Sequence, residues 1–257
     1  MATLLDVTTT PAPDRNYRRD GVHGRLVHEL GRRVIDGRYP IGDALPTETA
    51  LVDQLGSGRS AIREAVKVLT AKGLVKARTK VGTVVQPESC WHLLDPDVLA
   101  WRYQNDPSDK QLEDLGGVRV AFEPEAARLA AGATDRGGIA AIQREYLLME
   151  QTIDDPDEFI GHDLAFHAAI VHTGGNQLLE QLSALMSAAF AAARQVHTRN
   201  VRRNKRTLAG HRAVLDAIVG RRVDEAAELM RVLVTGAQHD IRRDLRSRPR
   251  GDAHARA

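Results

Sequence analysis

Residues 45–85, LPTETALVDQLGSGRSAIREAVKVLTAKGLVKARTKVGTVV, decide the fold of the N-terminal part of this chain. Thr47 is a suitable N-cap for a short helix, and Glu48 follows it at the positive helix end. This helix is predicted over about 48–55, and the sequence Gly-Ser-Gly breaks it. Apolar residues then recur with helical periodicity, which predicts a third helix over about 59–72.

A β-hairpin and a preceding helix complete this pattern. The segments 74–78 and 83–85 alternate in character around a turn that contains Gly82, which is typical of a hairpin. Upstream, the periodicity of 22–35 predicts a first helix. The order of helix, helix, glycine turn, helix and hairpin is that of a winged helix-turn-helix, which we place at residues 21–86.

The remainder of the chain is expected to be helical, so the predicted fold class is mainly α, with a winged helix-turn-helix followed by a helical bundle. We predict a flexible arm at 1–20, a linker at 87–97, a bundle at 98–244 and a disordered tail at 245–257. In the linker, three side chains are too apolar to be freely solvated: Trp91, Leu93 and Leu94. The bundle helices are expected near 98–104, 108–132, 137–152, 157–173, 177–198, 206–219 and 222–244, with Asn176 capping the fifth.

Composition limits the function classes. A single cysteine, Cys90, excludes an internal disulfide and a cysteine-cluster metal site. No uncharged apolar run is long enough to cross a membrane, and the start lacks the order of a secretory signal, so we expect a cytoplasmic protein. Residues 21–86 carry eleven Lys/Arg and six Asp/Glu, whereas residues 87–239 carry sixteen and twenty-two. A basic module joined to an acidic one favours a polyanion as the partner of the first.

The third helix carries a stripe of cations. Arg59, Arg63 and Lys67 recur every four residues beside the apolar face of that helix. Arginine can donate two hydrogen bonds to a guanine edge, and lysine suits a phosphate. The alternative is an ordinary solvated helix face, but the glycine turn before the stripe and the basic hairpin after it favour DNA binding.

These segments resemble the winged-helix signature of GntR-type bacterial regulators. The resemblance rests on LPTE at 45–48, RSAIREA at 59–65, LTAKGLV at 69–75 and GTVV at 82–85. It implies that Arg59 and Arg63 read operator bases and that Gly82 lies at the wing tip near the minor groove. The full set of predicted DNA-binding residues is Thr47, Thr49, Arg59, Ser60, Arg63, Lys67, Lys80 and Gly82.

Two positions depart from the pattern of that family. Thr49 stands where an arginine that contacts DNA is common, and Gly58 stands where serine or threonine is usual. Ser57 is a candidate to compensate in part for the glycine. The departures leave the operator sequence open.

A candidate metal site lies in the helical part. Asp163 and His167 are four residues apart on an otherwise apolar helix, so both side chains point the same way. His211 begins another helix and could converge on the same cavity. Imidazole and carboxylate together suit a divalent ion such as Zn, Ni or Mn. The alternative is a hydrogen-bonded structural pair without metal.

The sequences DLAFH at 163–167, GN at 175–176 and HRAVLDAI at 211–218 are similar to the all-helical FCD effector domain of the FadR branch of GntR regulators. That resemblance implies metal ligands at Asp163, His167 and His211, with a third histidine 22 residues further on. Leu233 stands there instead. The resemblance therefore implies a site with three protein ligands and lower metal affinity.

The effector is expected to be a small carboxylate. Arg119 matches an arginine that faces the pocket in the same family, and a guanidinium beside an open metal would hold an organic acid at two points. A salt bridge from Arg119 to Glu123 is the alternative. The linker sequence WHLLDPDVLAW at 91–101 resembles that of sugar-acid regulators, particularly galactonate-responsive repressors, which implies an aldonate ligand.

We therefore expect a homodimeric transcriptional regulator, a repressor, that binds double-stranded operator DNA and releases it when a sugar acid binds. One rival interpretation is a metal-dependent enzyme acting on a small organic acid, for which the sequence offers no nucleophile motif or general acid/base beside the metal ligands. Another is a non-specific architectural DNA-binding protein, which leaves the acidic C-terminal two-thirds of the chain unexplained.

Overall fold

The computed structural model describes residues 21–104, 107–197 and 201–247, most of which are helical. Contacts between Cα atoms divide them into two compact units, one ending at residue 104 and the other beginning at 107. In chain order the elements are α1 (Val22–Ile35), α2 (Glu48–Leu55), α3 (Arg59–Ala71), β1 (Val75–Arg78), β2 (Gly82–Val85), a 3-10 turn (Glu88–Cys90), α4 (Pro96–Gln104), α5 (Asp109–Gly132), α6 (Arg136–Gln151), α7 (Pro156–Thr173), α8 (Gln177–His197), α9 (Val201–Val219) and α10 (Val223–Ser247).

The N-terminal unit is the predicted winged helix-turn-helix. Helix α3 packs against α1 and α2, and strands β1 and β2 pair antiparallel from Val75–Val85 to Arg78–Gly82. The segment before α2 joins the sheet, since the Leu45 amide donates to the Thr83 carbonyl at 2.7 Å. The largest aliphatic side chains of the core are at most 1% exposed, and each contributes about 1.5–3 kcal/mol by burial: Leu30, Leu51, Ile62, Leu69 and Leu74.

The linker and helix α4 belong to this N-terminal unit. The sequence prediction that the bundle begins at residue 98 is therefore wrong, because α4 packs on α1. Trp91 and Trp101 lie in the core of the unit, and burying two indoles fixes the segment in place. The expectation that all three apolar linker residues are shielded holds for Trp91 only, since Leu93 and Leu94 are exposed in this chain.

A largely buried polar cluster also ties the linker to the end of α3. The Lys72 ammonium lies 2.7 Å from the Asp95 carboxylate and 2.9 Å from that of Asp97, which is 1% exposed. One turn further along α4, the indole of Trp101 donates to Nδ1 of His28 at 2.7 Å. These two contacts restrict the movement of α3, the linker and α4 relative to one another, because breaking either contact would leave buried polar groups without a hydrogen-bond partner.

The C-terminal unit is a bundle of α5 to α10, with α5 packed on α10 and α6 on α7. Asp155 caps α7, which has Pro156 at its first position, and Asn176 accepts from the first amides of α8 as predicted. Helix α5 continues through Pro124, so the predicted long helix is intact. Within the described residues no helix is both long and apolar enough to span a bilayer.

Two boundaries in the bundle differ from the sequence predictions. Helix α9 begins at Val201 and not near 206, and α10 continues to Ser247 and not 244, so the start of the predicted disordered tail is helical. Helix α10 continues through Gly236, and from there to Ser247 the sequence contains no further glycine and no proline, so nothing in that stretch stops the helix at 244. The predicted arm at 1–20 and the tail at 248–257 lie outside the described residues.

Candidate functional site

The cationic stripe on α3 faces solvent. Arg59, Ser60, Arg63 and Lys67 are all exposed, while Ile62 on the opposite face is fully buried. The side chain of Arg63 is 64% exposed and that of Lys67 is 71% exposed. Among the described residues of the N-terminal unit, residues 21–104, none covers the surface that the sequence predicts to bind DNA.

Two of these cations pair with neighbouring acids. Nε of Arg63 lies 2.8 Å from the Glu48 carboxylate, and Nζ of Lys67 lies 2.6 Å from that of Glu64, whose pKa is lowered by the hydrogen bond from Lys67. Ion pairs this exposed contribute about 0–1 kcal/mol. A guanine contact is worth about 1–3 kcal/mol, so the pairs can open in favour of DNA.

The structure shows the surroundings of the two residues that depart from the family pattern, Thr49 and Gly58. Thr47 caps α2 as predicted, accepting from the Ala50 amide at 3.3 Å. Gly58 is the N-cap of α3 and supplies no side-chain bond, and the Ser57 hydroxyl donates to the Leu55 carbonyl, so Ser57 does not replace the missing cap. Thr49 is exposed beside Arg59, at 3.5 Å between hydroxyl and guanidinium.

The wing tip differs from the predicted glycine turn. Gly82 is the first residue of β2, opposite Arg78, and the loop consists of residues 79–81. The left-handed conformation falls on Lys80 with φ 64°, while Gly82 has φ 106°. A lysine in that conformation costs about 1–3 kcal/mol, and here it holds an exposed ammonium at the tip of the hairpin.

In the C-terminal unit, the three predicted metal ligands meet. Asp163 and His167 on α7 and His211 on α9 are buried, and one potential ligand atom from each lies within 4.8 Å of the others. Nε2 of His211 is 2.9 Å from Oδ1 of Asp163, and Nε2 of His167 is 4.0 Å from the same oxygen. Phe166 packs edge-on against both imidazoles. The three side chains that the sequence analysis grouped as metal ligands thus lie together in the structure.

The contacts that the two histidines make through their other ring nitrogen, Nδ1, suit metal binding through Nε2. Nδ1 of His211 lies 2.8 Å from the Thr207 carbonyl, which can only accept, so Nδ1 carries the proton and Nε2 presents its lone pair to Asp163. Nδ1 of His167 lies 2.9 Å from the Glu123 carboxylate, which orients that ring in the same sense. Nε2 of His211 and Oδ1 of Asp163 are two acceptors that face one another, so they need a proton or a cation between them. A carbonyl and a carboxylate behind the imidazoles are the usual outer contacts of a metal-binding histidine.

Arg119 takes part in both arrangements that the sequence left open. Its guanidinium forms two hydrogen bonds to Glu123, at 2.6 and 3.1 Å, and it also lies 3.4 Å from Nε2 of His167. Burial alone would raise the pKa of the Glu123 carboxyl, but the charges of Arg119 and His167 outweigh burial and hold that pKa well below its usual range. Glu123 therefore stays ionised, and it fixes Arg119 beside the cluster.

The cluster opens onto a cavity of about 90 Å³, room for several waters or one small ligand. Arg119, Asp163, His167 and His211 all line it. Leu233, at the position of the absent histidine, forms part of its apolar wall. Among the described residues, these three ligands form the only such cluster. The other lining residues are Leu112, Leu115, Gly116, Phe159, Phe190, Arg203, Asn204, Thr207, Val234, Ala237, Gln238 and Asp240.

Several of these groups were not predicted from the sequence. The Thr207 carbonyl is a backbone group and leaves no pattern to detect. Arg203 and Asn204 could have been suspected, because they lie eight and seven residues before His211 and so on the same side of α9. Without the neighbouring helices, nothing separates them from the solvated residues beside them.

Comparisons with known proteins agree with both halves of the structure. The model of bacterial regulatory proteins of the gntR family matches residues 23–85, and that of the FCD domain matches residues 114–236. The HTH-type regulator YieP of Escherichia coli K12, itself uncharacterized, is 30% identical over 215 residues, which are 81% of this chain and 90% of that protein. This chain belongs to the GntR family. Another relative of this GntR protein, the galactonate operon transcriptional repressor of the same organism, is 29% identical over 219 residues, 85% of this chain and 96% of that protein.

A solved structure supports the fold of this GntR protein. The Listeria monocytogenes protein Lar superposes with a TM-score of 0.55 at 15% identity, and the match covers 89% of this chain and 99% of that one. The predicted mainly helical fold, with a winged helix-turn-helix and an FCD bundle, is confirmed.

Membership of this family settles the class of function. A GntR winged helix implies binding to operator DNA, and an FCD domain implies binding of a small-molecule effector. The protein is a DNA-binding transcriptional regulator and not an enzyme, as its domains and relatives agree. The interpretations as a metal-dependent enzyme and as a non-specific architectural protein are therefore dropped.

Proposed function

We propose that this GntR protein is a homodimeric cytoplasmic repressor, and that a sugar acid, held with a divalent metal in the C-terminal cavity, lowers its affinity for operator DNA. The observation that carries this proposal is the convergence of Asp163, His167 and His211 on a cavity that Arg119 also lines. The galactonate operon repressor among its relatives supports the sugar-acid class.

The cavity residues suit an organic acid. A divalent ion such as Zn, Ni or Mn, when bound by Asp163, His167 and His211, would supply a Lewis acid with positions open to a carboxylate oxygen. Arg119 supplies a second cationic contact within hydrogen-bond reach of the same imidazole. Glu123 neutralises part of the charge of Arg119, so this end of the cavity favours an anion only when the metal is present.

The DNA-binding role follows from the exposed face of α3. We assign base contacts to Arg59, Ser60 and Arg63, and phosphate contacts to Lys67 and to the wing residue Lys80. Gly82, Thr47 and Thr49 are also exposed, and their backbone and hydroxyl groups suit phosphate contacts. A two-fold dimer would place two such helices in successive major grooves of a palindromic site. For the acid to release DNA, it must bind the dimer geometry that does not fit the operator more tightly than the one that does.

A thermal-shift screen of the full chain tests the effector class. With Zn, Ni or Mn present, we expect hexonates at about 100 times their dissociation constant to stabilise the protein by about 2.7 kcal/mol, and EDTA to abolish that shift. Light scattering tests the proposed homodimer and should give a mass twice that of the chain, which is 28.2 kDa. If no sugar acid raises the melting temperature of the metal-loaded protein, the proposed effector class is wrong.

A matched pair of histidine variants makes the screen specific. His211→Ala removes a ligand from the cluster and should abolish the response to metal and acid. His172→Ala is the control, because His172 lies on the same helix as His167 but is 58% exposed and pairs with Glu180 at the surface. An equal loss of response in both variants would count against the assigned site.

A further inference from the structure

The effector cavity has two polar ends. Its lining residues form stripes on three helices: residues 112–119 of α5, 203–211 of α9 and 233–240 of α10. At about 1.5 Å per residue, these stripes extend roughly 10–12 Å. His211 and Arg119 lie at the end that holds the metal cluster, while Arg203 lies eight residues, or about 12 Å, from His211 along α9.

Contacts between the helices show which residues share the distal end. Nε of Arg203 lies 3.5 Å from the Asp240 carboxylate, and Nε2 of Gln238 donates to the Glu113 carbonyl at 3.2 Å. Asn204, 1% exposed, lies beside Arg203 in the first turn of α9. Arg203, Asn204, Gln238 and Asp240 all line the cavity. The end opposite the metal cluster thus combines donors and acceptors, and apolar side chains such as Leu115 and Leu233 lie in the wall.

We infer that this distal cluster is a specificity subsite for a hydroxyl group at the far end of the effector. A hydroxyl both donates and accepts, so it can bind Arg203 and Asp240 at once, as a carboxylate cannot. The charges of these two side chains cancel, and the further partner of Asp240, Arg243, is 66% exposed and screened by solvent. A second carboxylate on the ligand would meet Asp240 without a compensating proton.

The distance between the ends adds a length requirement. Five carbon–carbon bonds of about 1.5 Å in a zigzag span roughly 6–7 Å. The side chains at the two ends of the cavity extend toward the ligand and cover the remaining distance. An extended acid of about six carbons can therefore contact both ends, whereas an acid of two or three carbons cannot. This inference rests on the proposed function, since it assumes that the carboxylate of the ligand binds at the metal end.

Calorimetric titration of the full-length, metal-loaded protein with three matched acids tests the subsite: galactonate, its 6-deoxy analogue, which lacks the terminal hydroxyl, and galactarate, which carries a carboxylate there. We expect the deoxy acid and the diacid to bind roughly 10- to 100-fold more weakly than galactonate, because each leaves buried polar groups without a suitable partner. Binding of all three within threefold of one another would overturn the subsite but leave the proposed function standing. No binding by any of them would overturn the proposed function and the subsite with it.

Two variants locate the effect. Asp240→Asn should narrow the preference for galactonate over galactarate at least tenfold, since the repulsion of the second carboxylate is removed. Glu228→Gln is the control, because Glu228 lies on the same helix, is 69% exposed and is not in the cavity lining. An unchanged preference in a folded Asp240→Asn protein, with a melting temperature near that of the parent, would contradict the assignment.

Discussion

Replacing Arg63 by alanine isolates the side chain on which the DNA-binding assignment depends most. Arg63 lies at the middle of the exposed stripe of α3, outside the buried core. Its known partner is Glu48, in a pair whose two side chains are 64% and 44% exposed. The stability of the fold should therefore change by no more than about 1 kcal/mol.

The expected loss of operator affinity is larger. A bidentate contact with a guanine is worth about 1–3 kcal/mol, which corresponds to roughly 5- to 150-fold in the dissociation constant. In free protein the guanidinium pairs with Glu48, so opening that pair reduces the net gain by up to about 1 kcal/mol. Glu48→Gln should accordingly tighten operator binding by up to about fivefold, because Arg63 then has no ion pair to break before it contacts the DNA.

Fluorescence anisotropy with a labelled operator, selected from a random-sequence library, measures both effects at physiological salt. Arg128→Ala is the matched control, because Arg128 forms a similar exposed pair with Glu125 in the C-terminal bundle. Lys67→Ala should weaken operator and random DNA alike and reduce the salt slope. An operator affinity that Arg63→Ala leaves unchanged refutes the base-reading role.

Three further predictions concern stability and metal. Lys72→Met should lower the free energy of unfolding by about 3–5 kcal/mol in urea titrations, because the buried carboxylate of Asp97 and the partly buried one of Asp95 lose their counter-charge; a change below 1 kcal/mol would show that this cluster does not anchor the linker. Gly31→Ala should lower the free energy of unfolding by about 1–3 kcal/mol, since a Cβ there would lie 2.4 Å from the Trp101 ring. Gly117→Ala should raise it by about 0.5–1 kcal/mol, because nothing lies within 4 Å of the added Cβ. Melting temperatures that shift in the same direction in both variants would contradict the packing described. EDTA should lower the melting temperature of the metal-loaded protein but not of His211→Ala, and an equal drop in both would place the metal elsewhere.

The sequence predicted the elements of the DNA-binding unit because local signals there agree with one another. Thr47 caps α2, periodicity marks the buried face of α3, and a loop of three residues joins the two paired strands. The place of α4 could not be predicted, because it depends on long-range contacts. Trp101 meets His28, 73 residues away, and Lys72 meets Asp95, 23 residues away. Neither partner follows from the helical spacing around it.

The cluster of Asp163, His167 and His211 could be predicted from the sequence only in part. Asp163 and His167 share one helix at a spacing of four, so their convergence follows from the helical repeat. The approach of His211 requires α7 and α9 to pack, and that was inferred by family resemblance. Two residues of α10 show the limit of such inference: Leu233 was recognised as a departure from the family pattern, whereas nothing in the sequence marked Asp240, seven residues later, as a neighbour of Arg203.

The most direct test of the central claim is the dissociation constant of the full chain for its selected operator, with and without saturating galactonate in the presence of metal. We predict that the operator binds at least about 10³-fold more tightly than random DNA and that galactonate weakens this binding at least tenfold. Equal affinity for operator and random DNA, or an operator affinity that no metal-bound acid changes, would contradict the account.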